Sequence, residues 1–151
     1  MLEKIKSLEA LISEKKNIVI TVHRGPDGDA IGSSLALFHY LTKLNHLVTV
    51  VTPNDYPSFL KWVPGQDLIL KFDSQNSQSV EALNNADIIF TLDFNAFHRA
   101  GDMENTLAEN KSLKIMIDHH QEPDDYALVT YSDPSMSSTS EMGYHFIDAM
   151  D

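Results

Sequence analysis

Carboxylates and imidazoles, the side chains that ligate divalent cations and move protons, collect in three short segments of this sequence. His23, Asp27 and Asp29 lie within HRGPDGD, Asp93 closes FTLD, and Asp118, His119 and His120 follow the apolar IMI. In the first segment the polar residues stand at i, i+4 and i+6. Gly25, Pro26 and Gly28 between them turn the backbone tightly and let two carboxylates face different ions. If the segments meet, their carboxylates cannot all stay ionised unaided, because like charges at ~4 Å repel by roughly 4 kcal/mol at an effective dielectric constant of about 20. Divalent cations are the simplest counter-charge. Carboxylates mixed with imidazoles suit Mn²⁺ or Fe²⁺ better than the all-oxygen sites of Ca²⁺ and Mg²⁺. Two Mn²⁺ ions are expected, with Mg²⁺, Co²⁺, Fe²⁺ and Zn²⁺ as alternatives. A two-ion site needs a shared ligand and ~3.5–4 Å between the ions, and Asp93 is the candidate bridge. Such a pair lowers the pKa of a bound water, orients a phosphate and takes up charge on the attacking and leaving oxygens, so no protein nucleophile is required.

Each segment also has a plainer reading. PDGD alone is an ordinary turn, and an Asp ending a strand is an N-cap or surface residue at least as often as a ligand. Two adjacent histidines after a buried Asp are harder to explain by packing, and the same strand-end placement in three segments favours chemistry. Elsewhere the plainer reading prevails. His39, His46 and His145 fall on or beside predicted helices and read as surface or packing residues. Arg99, six residues after Asp93, is divided between a bidentate grip on a substrate phosphate and simple charge balance; His98 has the weaker claim. Ser137, Ser138, Thr139 and Ser140 fit helix capping better than nucleophilic chemistry, and Met142, Phe146 and Met150 fit helical core or an interface. Trp62, with Tyr56 and Phe59, could stack a base but is expected to pack.

The elements that must position these residues follow from periodicity. Leu2, Ile5, Leu8, Leu11 and Ile12 recur at helical spacing and predict a helix over residues 2–16, and IVITV (18–22) predicts a strand buried on both faces. A helical stripe runs from Ala30 to Asn45, followed by a strand over 47–51, a short helix at FLKWV, and a weaker strand over 67–72. SVEALNNA reads as helix, 87–94 as strand, 102–110 as helix, 113–120 as strand and 126–133 as a sixth strand. Ser137 or Ser138 then caps a last helix through Ile147, with Glu141 placed as in a capping box. Alternating strands and helices predict a doubly wound α/β domain: a mainly parallel sheet, helices on both faces, and the metal site at the C-terminal ends of the strands.

Composition narrows the functions open to such a domain. The chain has 151 residues, 22 acidic and 11 basic side chains, a net charge of −11 and no cysteine. One core of ordinary size is expected. The missing thiols exclude disulfide frameworks, zinc ribbons and cysteine nucleophiles, so any metal binds His, Asp or Glu. No window approaches the ~20 apolar residues of a membrane span, and MLEKIKSLEALISEKK lacks the apolar core of a signal peptide. A cytoplasmic protein without membrane partners is expected. So acidic a surface repels long nucleic acid, whose non-specific affinity comes from Lys and Arg, and a phosphate substrate would need bound cations to reverse the local sign.

HRGPDGDAIGSSLAL, TLDFNAFHRAGD and IMIDHH resemble, in order, the first three motifs of the DHH phosphoesterase superfamily. The likeness is to the branch of nanoRNA-degrading and pAp-phosphatase proteins, relatives of the RecJ exonucleases, and it spans nearly the whole chain. The resemblance implies that His23 and Asp27 bind one ion, Asp29 and His119 the other, and that Asp93 bridges them. It implies that His120 faces the scissile phosphate and that Asp118 orients a ligand histidine. Gly25 stands where the family usually has Asn. No fourth motif with its metal-ligating Asp follows SSTSEMGYHFI, and the chain resembles the N-terminal lobe alone, without the DHH-associated, substrate-binding domain. The implied activity is a Mn²⁺-dependent phosphoesterase releasing 5′-mononucleotides from short RNA and converting pAp to AMP. Cleavage of cyclic or linear dinucleotides, or metal and nucleotide binding without turnover in this chain alone, are the alternatives. Short RNA, dinucleotides or pAp are the expected partners, and a homodimer remains open.

Overall fold

The computed structural model describes residues 2–151. Its β-branched runs become six strands: β1 (Asn17–Thr21), β2 (Leu47–Thr52), β3 (Leu70–Lys71), β4 (Ile88–Leu92), β5 (Leu113–Asp118) and β6 (Val129–Ser132). They form one all-parallel sheet in the order β3-β2-β1-β4-β5-β6. Ile18 pairs with Ile88 and Val48, and Phe90 with Ile115, so the central strands are apolar on both faces, as a sheet covered from both sides requires.

Alternation along the strands divides the core in two. Ile18, Ile20, Ile88, Phe90, Leu92, Ile115 and Ile117 pack with the helices α1 (Leu2–Leu11), α2 (Gly28–Lys43) and α5 (Thr139–Met150). Val19, Val51 and Ile89 pack on the opposite side with α3 (Asn76–Asn85) and α4 (Glu104–Glu109). The predicted doubly wound architecture is therefore the observed one. Among the described residues no helix is long and apolar enough to cross a membrane.

Several boundaries move. The first helix stops at Leu11 rather than residue 16, because after Ile12 the helical positions Ser13, Glu14, Lys15 and Lys16 offer nothing to bury. The third strand shrinks to Leu70–Lys71, since Gly65 at φ +91° starts a 3-10 turn over Gln66–Leu68. The helix expected over 102–110 is α4 alone, preceded by 3-10 turns at Phe97–Met103 that break at Gly101. The packing expected of Phe59 and Trp62 fails: only the 3-10 turn Ser58–Leu60 forms, Leu60 fills the core, and Phe59 and Trp62 stay 70% and 77% exposed. Tyr56 does pack, its hydroxyl donating to the Gln66 carbonyl.

His46 is buried, as one of its two readings allowed. Its Nδ1 accepts the Lys16 N–H at 3.1 Å and its Nε2 has no hydrogen-bond partner. Burial, outweighing the nearby Ile12 carbonyl, holds its pKa below the usual histidine value. Above the unfolded value of about 6.5 the ring is neutral in both states and its contribution is intact; as pH falls below that, the unfolded chain takes up the proton first and stability drops. Comparing denaturant unfolding of the wild type and His46→Leu at pH 7.5 and 5.5 is expected to show the difference moving against the wild type at the lower pH. An unchanged difference would remove His46 as the cause.

Candidate metal centre

The three polar segments emerge at the carboxyl edge of the sheet, around the place where strand order reverses between β1 and β4. His23 lies two residues beyond β1, Asp93 directly follows β4, and β5 ends on Asp118 with His119 and His120 next. Asp27 is the N-cap of α2, its carboxylate accepting the Ala30 N–H at 2.9 Å, and Asp29 lies in that helix's first turn. Gly25, at φ +65°, bends the loop so that its N–H reaches the Asn54 side chain at 2.8 Å.

Asp93 is the hub, 2% exposed. Its Oδ2 lies 3.1 Å from His23 Nε2, while its Oδ1 lies 3.5 Å from His119 Nε2 and accepts the Thr139 hydroxyl at 3.0 Å. Asp27 Oδ1 is 3.8 Å from His23 Nε2, and Asp29 Oδ2 is 3.7 Å from His119 Nε2. The two oxygens of one carboxylate thus face two groups of donors, His23 with Asp27 and His119 with Asp29. One ligand atom from each of His23, Asp27 and Asp93 lies within 4.8 Å of the others, and the same holds for Asp93, His119 and His120. Asp93 itself sits at φ +65°, a left-handed conformation that Asp tolerates better than most residues, with its N–H on the Ile117 carbonyl.

The electrostatics match a site short of positive charge. Burial, helped by the Asp29 charge, raises the Asp93 pKa against the pull of His23 and Thr139. The bond to Asp93 raises the His23 pKa against burial, with the Arg24 carbonyl assisting. Burial pushes Asp29 upward, but hydrogen bonds from Ser140 and Thr139 outweigh it and leave its pKa lowered.

Those last donors were invisible in the sequence. Ser138 caps α5 by accepting the Glu141 N–H at 3.0 Å, as expected of the SSTS run. Beyond capping, Thr139 N–H and Ser140 N–H donate to the two carboxylate oxygens of Asp29 at 3.0 and 2.8 Å, seating it on the helix N-terminus. Asn95 was missed too: its amide donates to the carbonyls of His120 and Gln121, at 3.4 and 2.9 Å, and holds the loop after β5. Thr139→Val keeps the shape and the N–H but removes the hydroxyl from Asp93. Mn²⁺ affinity by isothermal titration is expected to fall about 10–100-fold. Unchanged affinity would make the hydroxyl structural only.

Asp118 is fully buried and committed to His120: it accepts from His120 Nδ1 at 2.6 Å and from the His120 N–H at 3.0 Å. The histidine it orients is therefore His120 rather than His119. The His119 and His120 rings lie 4.4 Å apart, and the His120 side chain is 41% exposed. Arg99 is exposed and its guanidinium has no hydrogen bond among the described residues, while its carbonyl accepts the Arg24 N–H at 2.7 Å. His39 is tied to the Pro64 carbonyl and His145 faces Glu141, both outside the cluster.

Comparison with known proteins places this arrangement. The chain is 30% identical over 142 residues to the bifunctional oligoribonuclease and PAP phosphatase NrnA of Thermus thermophilus, covering 94% of this chain and 40% of that protein. It is 25% identical over 147 residues to the cyclic-di-AMP phosphodiesterase GdpP of Bacillus subtilis, covering 90% of this chain and 22% of GdpP. The crystal structure of an exopolyphosphatase-related protein from Bacteroides fragilis superimposes with a TM-score of 0.97 at 41% identity, over 99% of this chain and 44% of that one. The chain spans less than half the length of each. Residues 17–151, which contain every strand and all seven residues of the cluster, match the model of the DHH family, N-terminal domain, and the chain belongs to that family.

Proposed function

We propose that the chain is the hydrolytic domain of a Mn²⁺-dependent phosphoesterase that releases 5′-mononucleotides from short oligoribonucleotides and converts pAp to AMP. The observation that carries this reading is the division of the two Asp93 oxygens between the His23 and Asp27 group and the His119 and Asp29 group. The donors fit a pair of divalent cations: they are carboxylates and imidazoles without thiolate, and burial, helped by the Asp29 charge, raises the Asp93 pKa, so that a cation would favour its ionised form. His23, Asp27 and Asp93 would hold one ion, and Asp29, His119 and Asp93 the other. Bound there, such ions acidify water and neutralise charge on the attacking and leaving oxygens.

The chain's own residues do the remaining work. Asp118 fixes the His120 ring through Nδ1, leaving Nε2 to exchange a proton with the phosphate or the leaving group. Thr139 and Ser140 keep Asp93 and Asp29 from turning away. Arg99, whose guanidinium has no acceptor among the described residues, is placed in this reading on a substrate phosphate. Selection of substrate length belongs, in the same reading, to a DHH-associated lobe of the kind the resemblance implies.

The test is release of AMP from pApA, and of AMP with inorganic phosphate from pAp, by the chain in Mn²⁺. Release that stops on adding EDTA is expected. Release indifferent to EDTA overturns the metal mechanism. Mn²⁺ binding without release from either substrate overturns the enzyme reading for this chain and leaves a metal-binding module.

A further inference from the structure

Beside the metal centre lies a cavity of about 260 Å³ lined by Arg24, Pro53, Asn54, Asp73, Gly101 and Asp102. None of these is a proposed metal ligand. Its walls come from the carboxyl ends of four adjacent strands: Arg24 follows β1, Pro53 and Asn54 follow β2, Asp73 follows β3, and Gly101 and Asp102 belong to the segment after β4. In open α/β sheets this crevice, next to the reversal of strand order, is where ligands bind.

Arg24 is built into it. Its N–H donates to the Arg99 carbonyl at 2.7 Å, the following N–H of Gly25 is held by Asn54, and the Arg24 stem lies against Gly101. A Cβ on Gly101 would come within 3.2 Å of Arg24 Cδ and 3.4 Å of its Cβ and Cγ, and Gly101 has φ +56°. Arg24 is exposed, and the guanidinium at the end of this anchored stem has no carboxylate within 4.0 Å and no hydrogen bond among the described residues, which leaves its donors open to a ligand. Asp102 likewise has no hydrogen-bond donor among them, and Asp73 uses one oxygen on the Ser74 N–H at 2.7 Å.

The lining therefore combines the N–H donors of Arg24 with the acceptor-only carboxylates of Asp73 and Asp102, all three side chains being exposed. A phosphate would meet Asp73 and Asp102, and a cation would meet Arg24. An uncharged ring with acceptors on one edge and donors on the next satisfies both. Guanine presents O6 and N7 to an arginine fork, and N1–H and N2–H₂ to a carboxylate. We propose that this cavity is a nucleobase subsite that prefers guanine. The inference rests on the nucleotide phosphoester reading above and names the base that reading leaves open.

The ¹⁵N-labelled chain, titrated in EDTA with GMP and with UMP, separates the base from the shared ribose phosphate and from the metal centre. GMP is expected to shift the amides of Arg24, Asn54, Gly101 and Asp102 and to bind about tenfold more tightly than UMP, the scale of one bidentate base contact. Arg24→Ala, and Arg24→Lys, which keeps the charge but not the fork, are expected to erase the difference. Equal affinities for GMP and UMP, or a preference that survives Arg24→Ala, overturn the subsite. Because this readout needs no turnover, a guanine preference in a chain that hydrolyses nothing would sink the phosphoesterase reading alone. Metal-dependent turnover without base preference would sink only the subsite.

Discussion

Asp93→Asn is expected to abolish turnover of pApA and pAp, by about a thousandfold or more, some 4 kcal/mol of transition-state stabilisation, while leaving the metal-free fold intact. The replacement is isosteric, and an amide can still accept from His23 or Thr139 at one position. What it removes is the second negatively charged oxygen, the one feature that lets a single side chain serve both groups of donors. Its effect on stability should have the opposite sign. The Asp93 pKa is raised in the folded state, chiefly by burial, so at neutral pH the ionised carboxylate detracts from stability, a deficit that vanishes only in acid. Thermal unfolding in EDTA should therefore show an unchanged or higher Tm for the variant, whereas the upward shift that Mn²⁺ gives the wild type should be lost. A variant that unfolds several degrees lower without metal would make Asp93 a structural residue, and one that keeps turnover would remove the shared-ligand mechanism.

Phe146→Ala is expected to lower stability by about 3–5 kcal/mol, a large part of the total of roughly 5–15 kcal/mol for a domain, with Tm falling by roughly 10 °C or more. Phe146 is fully buried and meets Phe90 of β4 edge-on, ring centroids 6.0 Å apart at 78°. With Met142 it is the fully buried apolar part of α5 in the core shared by α1, α2 and the sheet, and α5 carries the N–H groups and hydroxyl that hold Asp29 and Asp93. Phe146→Leu, which refills most of the space, should cost only about 1–2 kcal/mol. Calorimetry of both variants checks the ranking. Equal losses would mean that ring shape, not filled volume, holds the helix. Mn²⁺ affinity should fall with stability in Phe146→Ala, because loosening α5 releases both carboxylates together.

The placement of the polar residues at strand ends was legible in the sequence because it depends on local pattern alone. IVITV, DIIFTLDF and LKIMIDHH are apolar runs that stop at a polar residue, and a parallel sheet brings all such ends to one edge. Short or irregular pieces were less legible. Neither β3 nor the 3-10 segment Phe97–Met103 has the repeating apolar face that distinguishes strand from helix, and positive φ at Gly65 and Gly101 redirects the chain there.

By itself, then, the sequence determined the layer architecture, the edge that carries the site and the residues that gather there, since periodicity and side-chain chemistry act over a few residues. The motif resemblance already implied how those residues divide, and tertiary structure alone decided the contacts that hold them. Asp93 turns one oxygen to each group, Asp118 serves His120, Thr139 and Ser140 reach Asp29 across more than a hundred residues of chain, and Arg24 lies on Gly101. Such contacts depend on which strands become neighbours and on how α5 settles on the sheet, and that is fixed by burial of apolar surface summed over the whole chain rather than by any local pattern.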